Sequence, residues 1–162
     1  VFKGFDDFET LTKFVNKYNE YSINEVTRCG TDSYQRIFFD IDAKYSDYPD
    51  ITPKTITEAY NVLLNTIENV LLNCDISVDV IKLTGHTKEK FSVHLVYKYA
   101  YIHAEHYKCL YADILENFTF DLVCANLPIN LVNIIDQKVY EKNHCLRVHT
   151  SHKYGKTTKL KL

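Results

Sequence analysis

Residues 36–42 read Arg-Ile-Phe-Phe-Asp-Ile-Asp, and no other stretch constrains the fold as tightly. The run is too short for a helix and rich in aromatic and β-branched side chains, so it reads as a buried strand. Side chains at i and i+2 of a strand share a face. Behind the apolar Ile37, Phe38 and Phe39, the carboxylates of Asp40 and Asp42 therefore project together from one side of the strand end. Two like charges that close repel each other unless a cation lies between them. Hard divalent cations, Mg²⁺ or Mn²⁺, accept this oxygen arrangement, above all when phosphates complete the coordination. Taken alone, Asp-x-Asp also describes a strand end entering a solvated loop.

The rest of the chain supplies a sheet for that strand. Asp6 and Asp7 precede Phe8, Leu11, Phe14, Val15 and Tyr18, an apolar set at helical spacing behind an N-cap. Residues 45–49 break the strand. Thr52 caps a second helix with Pro53 in its first turn, and Ile56, Tyr60, Leu63, Leu64, Ile67, Val70 and Leu71 carry its apolar stripe to about Asn73. Residues 76–83 and 90–99 alternate as strands around a turn at Gly85-His86-Thr87, which predicts a hairpin. A third helical pattern covers 104–117, and a mixed segment then holds residues 131–135, Asp136 and a strand-like stretch at 145–148. No repeat or linker interrupts this order. The expectation is a single α+β unit over residues 1–162, with an antiparallel or mixed sheet.

Composition narrows the class. With 162 residues, 46% hydrophobic, 25% charged, four glycines and three prolines, the chain is an ordinary globule and not a collagen-like, low-complexity or disordered sequence. A chain of this length buries about 70% of its unfolded surface. No apolar run reaches the roughly 20 residues that span a bilayer, and Val1-Phe2-Lys3-Gly4 lacks the pattern of a signal peptide, so no membrane is expected. The five cysteines are scattered with no C-x-x-C pair, which points to reduced thiols and an intracellular setting rather than a disulfide framework or zinc knuckle. A net charge of −2 gives no global basic field for nucleic acid. Locally, residues 147–162 hold Arg147, Lys153, Lys156, Lys159 and Lys161 and no acid, the pattern of an anion-binding end or of a solvated tail. The sequence contains no Met, even at position 1, so it is expected to be part of a larger protein. Lys outnumbers Arg 16 to 3 and Tyr reaches 13, a bias that an AT-rich genome such as that of a large DNA virus would produce.

Two further segments carry chemistry. In Lys90-Phe91-Ser92-Val93-His94, alternation puts Lys90, Ser92 and His94 on one face, a row of ammonium, hydroxyl and imidazole donors matched to a polyphosphate. An amphipathic strand wetting one side gives the same pattern. From Asp136 through Tyr140 and Asn143 to Arg147, followed by Ser151 and Lys153, the chain offers an acid, a guanidinium and a further lysine; a surface ion-pair network would use the same residues. Combined, the segments contain the parts of two-metal phosphoryl transfer: acids for metals, donors for a triphosphate and cations for developing charge.

In order, spacing and residue type, F-F-D-I-D, K-F-S-V-H and I-D-Q-K-V-Y-E-K-N-H-C-L-R with its trailing S-H-K resemble the three motifs of the archaeo-eukaryotic primase superfamily. The similarity is to its primase-polymerase branch and to the primase domains at the front of poxvirus-type primase-helicases, and it covers about residues 36–156. The resemblance implies an α/β lobe joined to a lobe like an RNA-recognition motif, with the active site between them. It implies that Asp40, Asp42 and Asp136 are catalytic and hold two divalent cations, Mg²⁺ or Mn²⁺. Lys90, Ser92 and His94 would contact the incoming nucleotide, with Arg147 and Lys153 holding its triphosphate from the other side. Tyr140 and Asn143 match the motif in a structural or sugar-side role. The implied reaction is templated attack of a primer 3′-hydroxyl on the α-phosphate of an NTP or dNTP, on single-stranded DNA. A helicase domain in the parent chain is a further implied partner.

The sequence departs from its relatives in lacking a zinc-binding insertion and any G-x-x-x-x-G-K motif, so unwinding is not expected of this chain. Two other readings compete. A nucleotide-sugar glycosyltransferase also uses Asp-x-Asp with Mn²⁺, but leaves the Lys90 row and the spacing from Asp136 to Arg147 unexplained. A non-catalytic single-strand binding module would suit a chain that is 14% aromatic. It has no need of Asp40 and Asp42, which would repel phosphate.

Overall fold

The structure, a computed structural model, describes residues 7–17, 24–26, 34–140 and 145–147. The expected buried strand extends at both ends to Tyr34–Lys44 (β2) and is preceded by Phe8–Lys17 (α1) and Asn24–Val26 (β1). Then follow Pro53–Asn73 (α2), Val80–Thr84 (β3), Lys90–His103 (β4), Tyr107–Cys124 (α3) and Cys145–Arg147 (β5). Short 3-10 turns occupy Tyr45–Asp47, Ala104–His106, Ile129–Ile134 and Gln137–Tyr140.

Three strands form an antiparallel sheet in the order β2-β4-β3, and β1 pairs antiparallel with β5 in a second, two-stranded sheet. The unit is α+β with antiparallel pairing throughout. Alternation decides which face of the larger sheet is covered. Ile37, Phe39, Ile41 and Ala43 of β2 join Phe91, Val93, Leu95 and Tyr97 of β4 in one buried cluster. Ile56, Leu63, Ile67 and Leu71 of α2 and Leu110, Ile114, Phe118 and Leu122 of α3 close over it. The helices therefore lie on the odd-numbered face of β2 and of β4 up to Tyr97, where the even-numbered residues face the other way; further along β4 it is Ala100 that is buried and Tyr99 and Tyr101 that are exposed. No described helix is long and apolar enough to cross a membrane.

The helix signals act as their chemistry requires. At α1, the Asp7 carboxylate accepts from the Thr10 amide and hydroxyl, both at 2.7 Å, and these bonds hold its pKa below the usual carboxylate value. The Thr52 hydroxyl accepts from the Thr55 amide at 3.1 Å at the start of α2. Helices α2 and α3 end alike, with Asp75 and Asn126 in the left-handed region at φ 56° and 55°. The Ile76 amide donates to Leu71 O and the Leu127 amide to Leu122 O, each at 2.9 Å, so apolar residues are folded back under both helix ends.

This ending accounts for two departures from the expected elements. Residues 76–79, expected in a strand, instead leave the α2 cap, and Ile76 and Val78 pack against the core before β3 begins at Val80. The third helix, expected over 104–117, starts after a 3-10 turn and continues to Cys124, because Phe118 and Leu122 prolong the stripe that Leu110 and Ile114 begin. Strand β4 also outruns its expected end. It reaches His103 opposite Tyr34, with a register shift: Arg36 faces Tyr101 while Phe38 faces Val96. Cys74, Cys109 and Cys124 are free thiols.

Candidate metal and nucleotide site

The site forms on the sheet face that the helices leave open. Across β2 and β4, Asp40 stands opposite His94 and Asp42 opposite Ser92, while Lys44 stands opposite Lys90. The two alternating motifs of the sequence thus share one face by cross-strand registry. Lys90 Nζ donates to Asp42 Oδ2. His94 Nε2 lies 3.3 Å from Asp40 Oδ1, with only 5% and 14% of the two side chains exposed. The Ser92 hydroxyl is buried in the same row.

Asp136 arrives by a different route. β2 is an edge strand, and its outer rim carries backbone groups that β4 does not reach. At Phe38 the rim is closed by the Tyr107 hydroxyl at the start of α3, which accepts from the Phe38 amide at 3.0 Å and donates to the Phe38 carbonyl. At Asp40 it is closed by the chain returning from α3: Ile135 forms an antiparallel bridge to Ile41, and the Asp136 amide donates to Asp40 O at 2.8 Å. Covering an exposed edge in this way is a general need of sheets. Here it also delivers the third acid to the first two. One carboxylate oxygen from each of Asp40, Asp42 and Asp136 lies within 4.8 Å of the others. Asp136 is held further by the Lys138 amide, which donates to its Oδ1 at 2.9 Å.

Asp42 and Asp136 line a cavity of about 510 Å³ together with Asp47, Lys44, Lys90 and Lys138. Asp42 Oδ1 and Ser92 Oγ are buried with no hydrogen-bond partner among the described residues. Buried polar atoms left so are costly and call for an ion, water or ligand. Three converging carboxylates with such an oxygen fit a hard divalent cation, the ion the sequence implies.

Two supporting residues escaped the sequence reading. Burial pushes the Tyr111 hydroxyl of α3 up to about 12; a hydrogen bond with Gln137 opposes the rise and the charge of Asp136 adds to it. Tyr111 therefore stays protonated next to the segment that carries Asp136. His86, seen in the sequence only as part of a turn, accepts the Ser92 amide on Nδ1 at 3.1 Å and packs against Phe91 with the rings tilted and their centres 4.5 Å apart. Its pKa is lowered by burial. Neither residue has a periodicity signal, since each acts through individual contacts and not through a repeating face.

Of the residues expected at the site, Asp40, Asp42, Asp136, Lys90, Ser92 and His94 are brought together. Arg147 lies in β5, paired with Asn24, but its side chain is outside the described residues, as is that of Tyr140. Lys153, Ser151 and Asn143 also fall outside the described residues. Compared with known families, residues 7–162 match the model described as the C962R protein N-terminal AEP domain. No curated protein matches the chain.

Proposed function

Because the chain belongs to the family of the C962R protein N-terminal AEP domain, within the archaeo-eukaryotic primase superfamily, we propose that it is a templated nucleotidyltransferase that makes or extends primers. The observation that carries this reading is the convergence of Asp40, Asp42 and Asp136 within 4.8 Å. In this role the carboxylates hold two divalent cations, Mg²⁺ or Mn²⁺, which supply charge neutralisation at the transferring phosphate and activate the attacking hydroxyl. Lys90 and Ser92 present donors to the triphosphate beside the acids, and His94, hydrogen-bonding distance from Asp40, fixes that carboxylate and bounds the phosphate subsite. Arg147 and Lys153 complete the grip on the triphosphate. The primer 3′-hydroxyl attacks the α-phosphate and pyrophosphate leaves, with no covalent enzyme intermediate.

The same face of β2 supports a single-stranded template. Tyr34, Tyr99 and Tyr101 are exposed at 74%, 71% and 54%. The Arg36 guanidinium lies over the Tyr101 ring at 5.5 Å and donates to its hydroxyl at 2.9 Å. Exposed aromatics with an arginine offer stacking to bases and charge to the backbone. Arg36 sits four residues from Asp40, about 13 Å along the strand. A nucleotide-sugar glycosyltransferase leaves both this platform and the third carboxylate without a role.

The test is incorporation of labelled NTP or dNTP on primed and unprimed single-stranded DNA with each metal. Asp40→Asn with Asp42→Asn should abolish incorporation and also remove any rise in melting temperature that Mn²⁺ gives the native chain. Retained incorporation by that variant sinks the assignment.

A further inference from the structure

A second set of metal-ligating side chains gathers where β4 turns into α3. His103 ends the strand, and Glu105 and His106 follow in the 3-10 turn Ala104–His106. Glu105 Oε1 lies 3.4 Å from His103 Nδ1 and 3.5 Å from His106 Nε2. One ligand atom from each residue lies within 4.8 Å of the other two. These separations are long for charge-assisted hydrogen bonds, which run at about 2.7–2.9 Å. They match the edge of a tetrahedron of donors around zinc: bonds of about 2.0–2.2 Å place neighbouring donors about 3.3–3.6 Å apart.

The first ligand is held in place. Tyr34, opposite His103 in the sheet, sets its ring edge-on to the imidazole at 5.2 Å and 77°, and the His103 side chain is 19% exposed. Glu105 and His106 are 69% and 64% exposed, so an ion and an outside fourth ligand have direct access. Two imidazoles and one carboxylate differ in chemistry from the all-oxygen acids of the first site. Nitrogen ligands favour zinc and its neighbours, and oxygen ligands favour magnesium and manganese.

We propose that His103, Glu105 and His106 form a binding site for a divalent transition metal of the zinc class, separate from the carboxylate site. The ion fastens the end of β4 to the 3-10 turn that leads into α3. Tyr107, whose hydroxyl closes the rim of β2 at Phe38, is the next residue along.

The experiment is a zinc titration of the whole chain against a chromophoric chelator, with circular dichroism to confirm folding. Loss of an outer-shell partner alone typically costs about 10–100-fold in metal affinity. His106→Ala and Glu105→Gln, both at exposed positions, should therefore weaken one zinc equivalent at least about tenfold. That equivalent should persist in Asp40→Asn with Asp42→Asn and in excess Mg²⁺. Unchanged zinc stoichiometry and affinity in His103→Gln with His106→Ala would overturn the proposal, as would loss of that equivalent in the aspartate variant.

Discussion

On one face of the sheet Ile41 and Val93 meet beneath the helices, at 0% and 2% exposure. One residue further along the same two strands, Asp42 and Ser92 meet on the opposite face, beside an ion pair and two buried oxygens with no partner among the described residues. The strands, backbone pairing and register are identical, and only the parity of the residue number differs. The apolar face gains free energy from burial, roughly 25 cal/mol for each Å² removed from water. The polar face concentrates like charges and buried polar atoms, which cost free energy until a ligand engages them. A strand anchored by its odd-numbered residues can hold its even-numbered residues in an arrangement they would not adopt alone. The helix-covered side thus supplies the rigidity that a precise polar constellation requires.

The contrast can be broken most sharply on the covered side. Ile41→Ala should lower unfolding free energy by about 2–5 kcal/mol, read from urea denaturation. Asp40→Asn with Asp42→Asn, one residue away on either side, should cost less in the same measurement, because the loss of the Lys90–Asp42 ion pair is offset by the removal of repulsion between the carboxylates, and no packing is lost. A comparable loss in both variants would mean that the two faces do not divide the work.

The next effect in size lies at the rim that joins the faces. Tyr107→Phe keeps the ring that packs against Phe38 but removes the hydroxyl serving both backbone groups of that residue. It should cost about 1–3 kcal/mol, again by urea denaturation, and weaken metal-dependent stabilisation with it. A loss of stability alone would place Tyr107 wholly on the structural side.

The smallest effect is a pH dependence. Burial lowers the His86 pKa, so the folded chain takes up a proton at this ring less readily than the unfolded chain. Stability from this group is therefore complete above the unfolded value of about 6.5 and falls as pH drops below it, towards the lower folded value. His86→Asn keeps an acceptor for the Ser92 amide without titrating. Its denaturation midpoint should fall slightly less than that of the native chain between about pH 7.5 and 5.5. Parallel curves would remove His86 from the support of Ser92.

Much of this was legible in the sequence, for a definable reason. Alternation places Asp40 with Asp42 and Lys90 with Ser92 and His94, since a period of two follows from strand geometry alone. The boundaries of α2 were equally legible, because Thr52 and Pro53 carry their meaning locally. The registry that sets Asp42 against Ser92 depends on how the chain turns between β3 and β4 and on which strands become neighbours, and no local pattern records it. Asp136 entered through the resemblance of its motif. Its route to the site is a one-residue bridge on the strand edge, and a single bridge has no period. The extension of α3 was missed for a related reason: its stop signal is Asn126 ahead of Leu127 and Pro128, a helix ending without glycine.

The backbone bond from the Asp136 amide to Asp40 O gives the molecule a latch. It is made between parts of the chain that synthesis separates widely, directly after the buried Ile134 and Ile135. Momentary release of that bond would let Asp136 leave while Asp40 and Asp42 stayed together on β2, so the set of three acids depends on the strand's edge and not on the strand alone. Solvent exchange of the single Asp136 amide proton is the clock that times that release.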